Sequence, residues 1–214
     1  MHTLIMTGGS FDVAFAKEYL KTQTIDFTIA ADRGVSYAKE IEKRPDLILG
    51  DFDSLDAETK DRMQEWDVPI LTFPPEKDYT DTHLAMEEAI KRGAKKITLL
   101  GATGTRMDHA WANVGLLQMA AKKGITAQIV DSHNRITMIC DEMCLTKKEA
   151  FGDYVSLIPY TNEVTGITLK GFYYLLKDAT LTLGISQGIS NELVEEEGNI
   201  KIKSGDLIVI ESRD

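Results

Sequence analysis

Short apolar runs alternate with amphipathic stretches through the first two-thirds of the chain. The runs predict six strands, at residues 3–6, 27–31, 47–49, 70–73, 97–100 and 127–130. Helical spacing of apolar positions lies between them, at residues 12–21, 35–43, 58–65, 80–92 and 109–123. A strand followed by a helix, repeated, is typical of a parallel sheet with right-handed crossovers. We therefore expect an α/β domain with a mostly parallel sheet at residues 1–135.

The pattern changes after residue 135, where helical spacing gives way to short alternating runs. These runs predict five strands, at residues 154–158, 167–170, 180–183, 200–203 and 207–210. Ser204-Gly205-Asp206 separates the last two and predicts a hairpin turn. Residues 136–214 are therefore expected to form an all-β antiparallel sandwich or barrel domain.

Composition narrows the class of protein. Of the 214 residues, 43% are hydrophobic and 27% charged, which is typical of a folded globular chain. The net charge of -10 argues against a broad grip on nucleic acid or an anionic membrane. Cys140 and Cys144 are too few for a disulfide framework or a four-thiolate zinc site. With no apolar run long enough to cross a bilayer and no basic leader, we expect a cytoplasmic protein.

Carboxylates follow the third predicted strand. Ligands of open parallel sheets bind at the carboxyl ends of the strands, where loops and helix N-termini gather. Asp51 and Asp53 are two residues apart, and an extended backbone points both to one side. Their oxygen atoms suit Mg²⁺. The alternative is a turn in which an aspartate caps the next helix.

Two further aspartates, Asp78 and Asp81, stand where the loop after the fourth strand becomes a helix. Thr80 is expected to cap that helix, with Asp81 in its first turn. Capping accounts for one carboxylate and leaves the other, together with Lys77, unexplained. Carboxylates that share a sheet edge repel unless a cation or ligand compensates, so the sequence predicts a metal and phosphate site.

The loop from Gly101 to His109 supplies groups that hold phosphate. Gly101 and Gly104 let backbone N–H groups approach a phosphate, and Arg106 can bind its oxygens bidentately. No Gly-Lys-Ser/Thr follows the glycines, so the loop is not a Walker A motif. Thr7-Gly8-Gly9-Ser10 likewise lacks the third glycine of a dinucleotide fingerprint.

Four motifs in order carry a resemblance to a known family. They are Gly50-Asp51-Phe52-Asp53-Ser54, Lys77-Asp78-Tyr79-Thr80-Asp81, Gly101 through Arg106-Met107-Asp108-His109, and Gly188-Ile189-Ser190-Asn191. Together they span nearly the whole chain and resemble the thiamine pyrophosphokinases, also called thiamine diphosphokinases. The departure is Thr105, where many members carry another glycine. The resemblance implies transfer of the pyrophosphoryl group of ATP to the hydroxyethyl oxygen of thiamine, giving thiamine diphosphate and AMP.

The resemblance also implies roles for individual residues. The expected Mg²⁺ ligands are Asp51, Asp53 and Asp81, and the catalytic set adds Asp78, Arg106 and Asp108. The expected ATP-binding residues are Gly8, Gly9, Asp32, Arg33, Lys77, Thr103, Gly104 and Arg106. Thiamine is expected to contact Asp81, Ser190 and Asn191, the last two from the partner subunit of a homodimer. The aromatic residue that stacks on thiamine is left open among Tyr160, Phe172, Tyr173 and Tyr174.

Two other functions compete with this interpretation. A Mg²⁺-dependent phosphohydrolase is suggested by Asp51-Phe52-Asp53, which resembles a nucleophile and acid pair. It predicts a phosphoaspartate at Asp51 and hydrolysis without a vitamin acceptor. A nucleotide-sensing module whose β domain binds a partner predicts ATP binding without turnover.

Overall fold

The computed structural model describes residues 1–52, 55–73 and 78–214. Two of the predicted site residues, Asp53 and Lys77, lie outside these ranges. The chain divides into two compact units, Met1–Ser132 (unit 1) and His133–Asp214 (unit 2). No helix within the described ranges is long and apolar enough to span a membrane.

Unit 1 contains a parallel sheet. Its strands are β1 (His2–Met6), β2 (Phe27–Ala31), β3 (Leu47–Gly50), β4 (Ile70–Thr72), β5 (Lys96–Leu100) and β6 (Thr126–Val130). They pair in the order β4-β3-β2-β1-β5-β6. Consecutive residues of β1, such as Leu4, Ile5 and Met6, are completely buried. Parallel strands covered on both faces read as apolar runs, which is why runs marked them in the sequence.

In the described parts of unit 1, five helices connect these strands: α1 (Val13–Lys21), α2 (Gly34–Glu40), α3 (Ala57–Trp66), α4 (Asp81–Lys91) and α5 (Met107–Ala121). Side-chain caps fix where three of them begin, because Asp12, Asp56 and Thr80 each accept a backbone N–H from the first turn. The cap at Thr80 makes Asp81 the first residue of α4. The predicted mostly parallel α/β arrangement is confirmed.

Unit 2 is built from antiparallel strands. They are β7 (Asn134–Ile139), β8 (Glu142–Thr146), β9 (Tyr154–Pro159), β10 (Glu163–Lys170), β11 (Ala179–Thr182), β12 (Glu197–Lys201) and β13 (Leu207–Ser212). One group pairs in the order β7-β13-β9 and the other in the order β11-β10-β12-β8. Buried side chains from both groups, including Leu157, Val164 and Val209, form one core. The predicted all-β antiparallel fold is confirmed.

The predicted hairpin at Ser204-Gly205-Asp206 is wrong. β12 pairs with β8 and β10, whereas β13 pairs with β7 and β9. The segment between them joins β10 instead, since the backbone N–H of Lys203 donates to the Thr165 carbonyl over 2.9 Å. The physical reason lies in β13, whose first three residues are all buried. A strand with consecutive buried residues lies between two neighbouring strands and is covered on both faces. An isolated two-stranded hairpin does not bury a strand in this way.

Candidate functional site

A cleft of about 560 Å³ lies at the carboxyl edge of the unit 1 sheet. β1 has β2 on one side and β5 on the other, so the direction of strand addition reverses there. Ligands of doubly wound folds bind at this switch point. The cleft is lined by residues 7–10, 32–33, 37, 80–82, 102–106, 109–110 and 113, and we name it the glycine-loop cleft.

Two loops, after β1 and after β5, pack directly on each other beneath the cleft. Gly9 N–H donates to the Gly101 carbonyl and Ser10 N–H to the Thr103 carbonyl, both over 2.7 Å. A Cβ on Gly9 would clash with both of these carbonyl oxygens. Glycine is therefore required here by the close approach of two backbones, and the two loops form one floor.

Side chains from two helices fix this floor from the sides. The Tyr37 hydroxyl donates to the Gly9 carbonyl over 2.6 Å, while its ring stacks on Phe11 at a centroid distance of 4.4 Å. From α5, the buried Asn113 amide donates to the Ala102 carbonyl over 2.8 Å. The sequence did not predict Tyr37 and Asn113 as site residues, because the local pattern of a helix does not show which loop a polar side chain will contact.

Eight of the predicted site residues line the cleft: Gly8, Gly9, Asp32, Arg33, Asp81, Thr103, Gly104 and Arg106. His109, noted within the phosphate loop, lines it as well. Arg33 and Arg106 precede the first residues of α2 and α5, so each cation stands beside a helix N-terminus. Cations and helix N-termini both attract anions, so this part of the cleft is suited to phosphate.

Three predicted aspartates are not among the lining residues. Asp51 follows β3 and is half-buried, and Asp78 is exposed ahead of α4. Asp108, in the first turn of α5, binds the Arg106 guanidinium with 2.6 Å between Nη2 and Oδ2. Hydrogen bonding from that guanidinium lowers the pKa of Asp108 to about 2. Asp108 therefore acts on the cleft through Arg106.

A magnesium site can be tested against the residues that line the cleft. Within the described ranges, no group of three or more His, Cys, Asp or Glu side chains is placed to hold a metal ion. The predicted ligand Asp53 lies outside those ranges. Mg²⁺ at phosphate sites takes one or two carboxylates and completes its shell with water and phosphate oxygens. Among the described residues, Asp32 and Asp81 are the carboxylates that line the cleft and are available to such a partial shell.

In unit 2, Ser190 and Asn191 have different environments. Asn191 is 5% exposed, and its amide binds the Tyr174 backbone twice, accepting its N–H at 2.9 Å and donating to its carbonyl at 2.8 Å. Ser190 is exposed, has a φ of 56°, and donates its backbone N–H to Ser156 Oγ over 3.0 Å. The serine hydroxyl is accessible to a ligand, whereas the asparagine amide acts on a neighbouring loop.

The aromatic candidates in unit 2 also differ. Phe172 is 2% exposed and belongs to the core. Tyr173 and Tyr174 are 65% and 62% exposed, and their rings meet edge to face at 4.9 Å. The exposed pair, in which Asn191 binds the backbone of Tyr174, is available for stacking, and a core phenylalanine is not.

The fold and the cleft define a two-unit chain whose α/β unit carries a cleft suited to phosphate. Residues 18–129 match the family "Thiamin pyrophosphokinase, catalytic domain", and residues 142–209 match "Thiamin pyrophosphokinase, vitamin B1 binding domain". The chain is 32% identical to the thiamine pyrophosphokinase of Bacillus subtilis (strain 168) over 186 residues, 87% of each chain. The chain belongs to the thiamin pyrophosphokinase family.

Solved structures agree with this membership. The crystal structure of the Bacillus subtilis thiamine pyrophosphokinase matches with a TM-score of 0.89 and 31% identity, covering 100% of both chains. That of the Geobacillus thermodenitrificans enzyme matches with a TM-score of 0.87 and 33% identity, covering 100% of this chain and 98% of that one. The yeast enzyme, at 14% identity and a TM-score of 0.77, shares the fold.

Proposed function

We propose that this chain transfers the pyrophosphoryl group of ATP to the hydroxyethyl oxygen of thiamine, giving thiamine diphosphate and AMP. The observation that carries the proposal is the joint presence of two segments in one chain. The segment that matches a catalytic domain, residues 18–129, supplies most of the lining of the glycine-loop cleft, and residues 7–10 complete it. The other matches a vitamin B1 binding domain.

The cleft is proposed to bind the phosphates of ATP. The glycines Gly8, Gly9 and Gly104 line the same space as the cations Arg33 and Arg106. Attack of the thiamine oxygen on the β-phosphorus puts negative charge on nonbridging oxygens and on the departing AMP. The transfer therefore requires in-line positioning and positive charge. The lining of the cleft is proposed to provide both without a covalent intermediate. Lys77 stays a predicted phosphate ligand.

We propose Asp51, Asp53 and Asp81 as the residues that hold Mg²⁺. The ion would supply charge neutralisation at the phosphate oxygens. Asp81 lies in the first turn of α4 and lines the cleft, so it is also the proposed carboxylate contact for thiamine. Thiamine carries a cationic thiazolium ring, which a carboxylate-bearing cleft favours. Asp78 stays a predicted member of the catalytic set.

For thiamine recognition in unit 2, we propose that Ser190 contacts the pyrimidine and that Asn191 acts through Tyr174. The exposed Ser190 side chain supports the first role. The two hydrogen bonds between the Asn191 amide and the Tyr174 backbone support the second. Tyr173 and Tyr174 have exposed rings, and Asn191 holds the backbone of Tyr174 in place. They are the proposed aromatic contacts, and the half-buried Tyr160 stays a third candidate.

We also propose a cytoplasmic homodimer. Large apolar side chains stand exposed in unit 2 between residues 173 and 194. They are Tyr173, Tyr174, Leu175, Leu183, Ile185, Ile189 and Val194. Seven exposed large apolar side chains within one segment of unit 2 support self-association through that unit. Cys140 and Cys144 form no disulfide, which supports a reducing compartment.

One assay tests the reaction against its competitors. Purified protein is incubated with Mg-ATP, with and without thiamine, and the nucleotides and thiamine species are resolved. Thiamine diphosphate and AMP formed together in equal amounts support the proposal. ADP with thiamine monophosphate would reject pyrophosphoryl transfer. Phosphate release without thiamine would favour the hydrolase, and ATP binding without any product would favour the sensing module.

A further inference from the structure

Thr7 and Thr82 join two sides of the glycine-loop cleft through a hydrogen bond between their side chains. Their Oγ1 atoms are 2.6 Å apart, and both residues line the cleft. Thr7 is 5% exposed and Thr82 is 6% exposed, so the bond is shielded from water. Shielding strengthens a hydrogen bond between hydroxyls and makes the loss of either partner costly.

The first partner belongs to the floor of the cleft. Thr7 follows β1 directly, and its backbone N–H donates to the Leu100 carbonyl over 3.0 Å. Its carbonyl packs so closely on Gly101 that a Cβ there would clash with it. Thr7 is therefore held rigidly between the loop that bears Gly8 and Gly9 and the loop that follows β5.

The second partner belongs to α4. Thr82 is the second residue of the helix and follows Asp81, the proposed ligand for Mg²⁺ and thiamine. Thr80 caps the same turn, so its backbone is already ordered along the helix. The cap at Thr80 does not determine where this turn lies relative to the glycine loops. The hydrogen bond between the Thr82 and Thr7 hydroxyls does.

We propose that the Thr7–Thr82 bridge is a positioning device that holds Asp81 at a set distance from the phosphate-binding loops. The inference rests on the proposed function, since it assumes that the loops bind phosphate and that Asp81 binds the metal. Both threonines are positioning residues that act through Asp81. A metal ion shared between Asp81 and the phosphate oxygens needs ligands from both at the same time. Loss of the bridge should therefore weaken the effect of Mg²⁺ on phosphate binding.

The test uses near-isosteric variants of the full chain. Thr7→Val and Thr82→Val remove one hydroxyl each, and Thr7→Ser and Thr82→Ser keep it. Thr3→Val is the matched control, because Thr3 is a fully buried residue of β1 whose Oγ1 has no partner among the described residues. Affinity for a nonhydrolysable ATP analogue is measured by calorimetry with and without Mg²⁺, together with kcat.

The expected result is a loss of the magnesium effect. In Thr7→Val and Thr82→Val, the gain in analogue affinity produced by Mg²⁺ falls about tenfold, or about 1.4 kcal/mol. The double variant Thr7→Val with Thr82→Val loses no more of the magnesium effect than either single variant, because both substitutions remove the same hydrogen bond. The serine variants and Thr3→Val stay within about twofold of the parent, and kcat follows the same order in the active enzyme.

Two outcomes would overturn the inference. One is an unchanged magnesium effect in both valine variants, even if their melting temperatures fall, since the bridge would then be purely structural. The other is additive losses in the double variant. The proposed function fails separately, if the parent protein forms no thiamine diphosphate, and the calorimetric comparison still decides the role of the bridge in that case.

Discussion

Arg106 grips the carboxylate of Asp108 with two hydrogen bonds, from Nε at 3.2 Å and from Nη2 at 2.6 Å. Both side chains are largely exposed, at 71% and 63%. Ion pairs in contact with water contribute little net stability, so this pair can open at small cost. We therefore expect Arg106 to exchange its carboxylate partner for a phosphate when a nucleotide enters the cleft.

Replacing Arg106 with glutamine should change both the nucleotide and the carboxylate. ATP affinity should fall about tenfold, because a charge-assisted hydrogen bond contributes about 1.5–3 kcal/mol. The pKa of Asp108 should rise from about 2 toward its ordinary value of 3.8, because the guanidinium bond is the main cause of its depression. Calorimetry and a carboxyl-carbon NMR titration measure the two effects.

The control for Arg106→Gln is Arg62→Gln, which removes another surface ion pair, that of Arg62 (48% exposed) with Glu65 (62% exposed) on α3. That variant should leave ATP affinity and the Asp108 titration unchanged.

The direction of the Asp108 pKa shift determines the pH range in which it affects stability. A depressed carboxyl pKa favours the folded state above pH 3.8, and this contribution is lost as the pH falls toward 2. Loss of activity between pH 5 and 7 would thus have another origin.

Asp81→Asn and Asp51→Asn should each abolish most turnover while leaving the fold intact. Either change removes a carboxylate charge that we propose compensates Mg²⁺, at almost constant volume. Electrostatic groups at a reacting centre are commonly worth about 100-fold or more in kcat. The measurement is kcat over a range of Mg²⁺ concentrations, with circular dichroism as the check on folding.

Asp61→Asn is the matched control for the aspartate variants, since Asp61 is exposed on α3 and lies outside the cleft lining. It should behave as the parent does. If Asp51→Asn keeps a near-normal rate at every Mg²⁺ concentration, Asp51 is not a metal ligand. A rise in the Mg²⁺ concentration needed for half-maximal rate, with kcat recovered at saturation, would assign the residue to metal binding alone.

The chain's periodicity is sufficient to predict the α/β unit, because each buried parallel strand is a continuous apolar run and each helix follows it. Polar residues after the strands likewise indicate the cleft, since parallel strands bring their carboxyl ends together. Residues that are paired only through tertiary contacts leave no such pattern in the sequence. The pairing of β12 with β10 and the turning of the Asn191 amide toward Tyr174 both join residues distant along the chain. Neither leaves a local pattern.

Gly9→Ala should disrupt the floor of the cleft. The added methyl would clash with the carbonyl oxygens of Gly101 and Thr103, so the two glycine loops must separate. Overpacking of this kind costs about 1–3 kcal/mol of stability and here also displaces the phosphate-binding backbone. We expect a lower melting temperature together with a loss of ATP binding.

Gly93→Ala separates the two effects of Gly9→Ala. Gly93 has a φ of 85° and nothing within 4 Å of its missing Cβ, so alanine there suffers backbone strain alone. That strain is about 1–2 kcal/mol. Stability should fall to a similar degree while ATP affinity is kept. Equal loss of ATP binding in both variants would mean that Gly9 matters only through global stability.

Ser190→Ala should raise the KM for thiamine about two- to tenfold, with the KM for ATP changed much less. A neutral hydrogen bond contributes about 0.5–1.5 kcal/mol, which corresponds to this range. Asn191→Asp tests the separate role of Asn191, because aspartate keeps the oxygen that accepts from Tyr174 but cannot donate to its carbonyl. It should also raise the thiamine KM, accompanied by a change in tyrosine fluorescence anisotropy. Equal effects on both substrates in Ser190→Ala would remove its assignment to thiamine.

His2 should make unit 1 less stable in mild acid. Its Nδ1 lies 3.0 Å from the Thr24 carbonyl, so Nδ1 carries the proton, and Nε2 accepts from the Thr98 hydroxyl at 2.9 Å. The Gln128 amide donates to that same hydroxyl over 3.0 Å, which leaves the Thr98 proton for His2. This chain of bonds needs a neutral imidazole. Burial is the first cause that lowers the pKa of His2, and the nearby Lys96 is the second.

A lowered histidine pKa means that the unfolded chain binds the proton more tightly than the folded one. The stabilising contribution of neutral His2 is therefore complete above pH 6.5 and is lost as the pH falls through the folded pKa. Urea unfolding, followed by tryptophan fluorescence, reports on unit 1 because Trp66 and Trp111 both belong to it. The free-energy difference between the parent and His2→Gln should shrink between pH 7 and pH 5. A difference that stays constant over that interval would show that His2 does not titrate on unfolding.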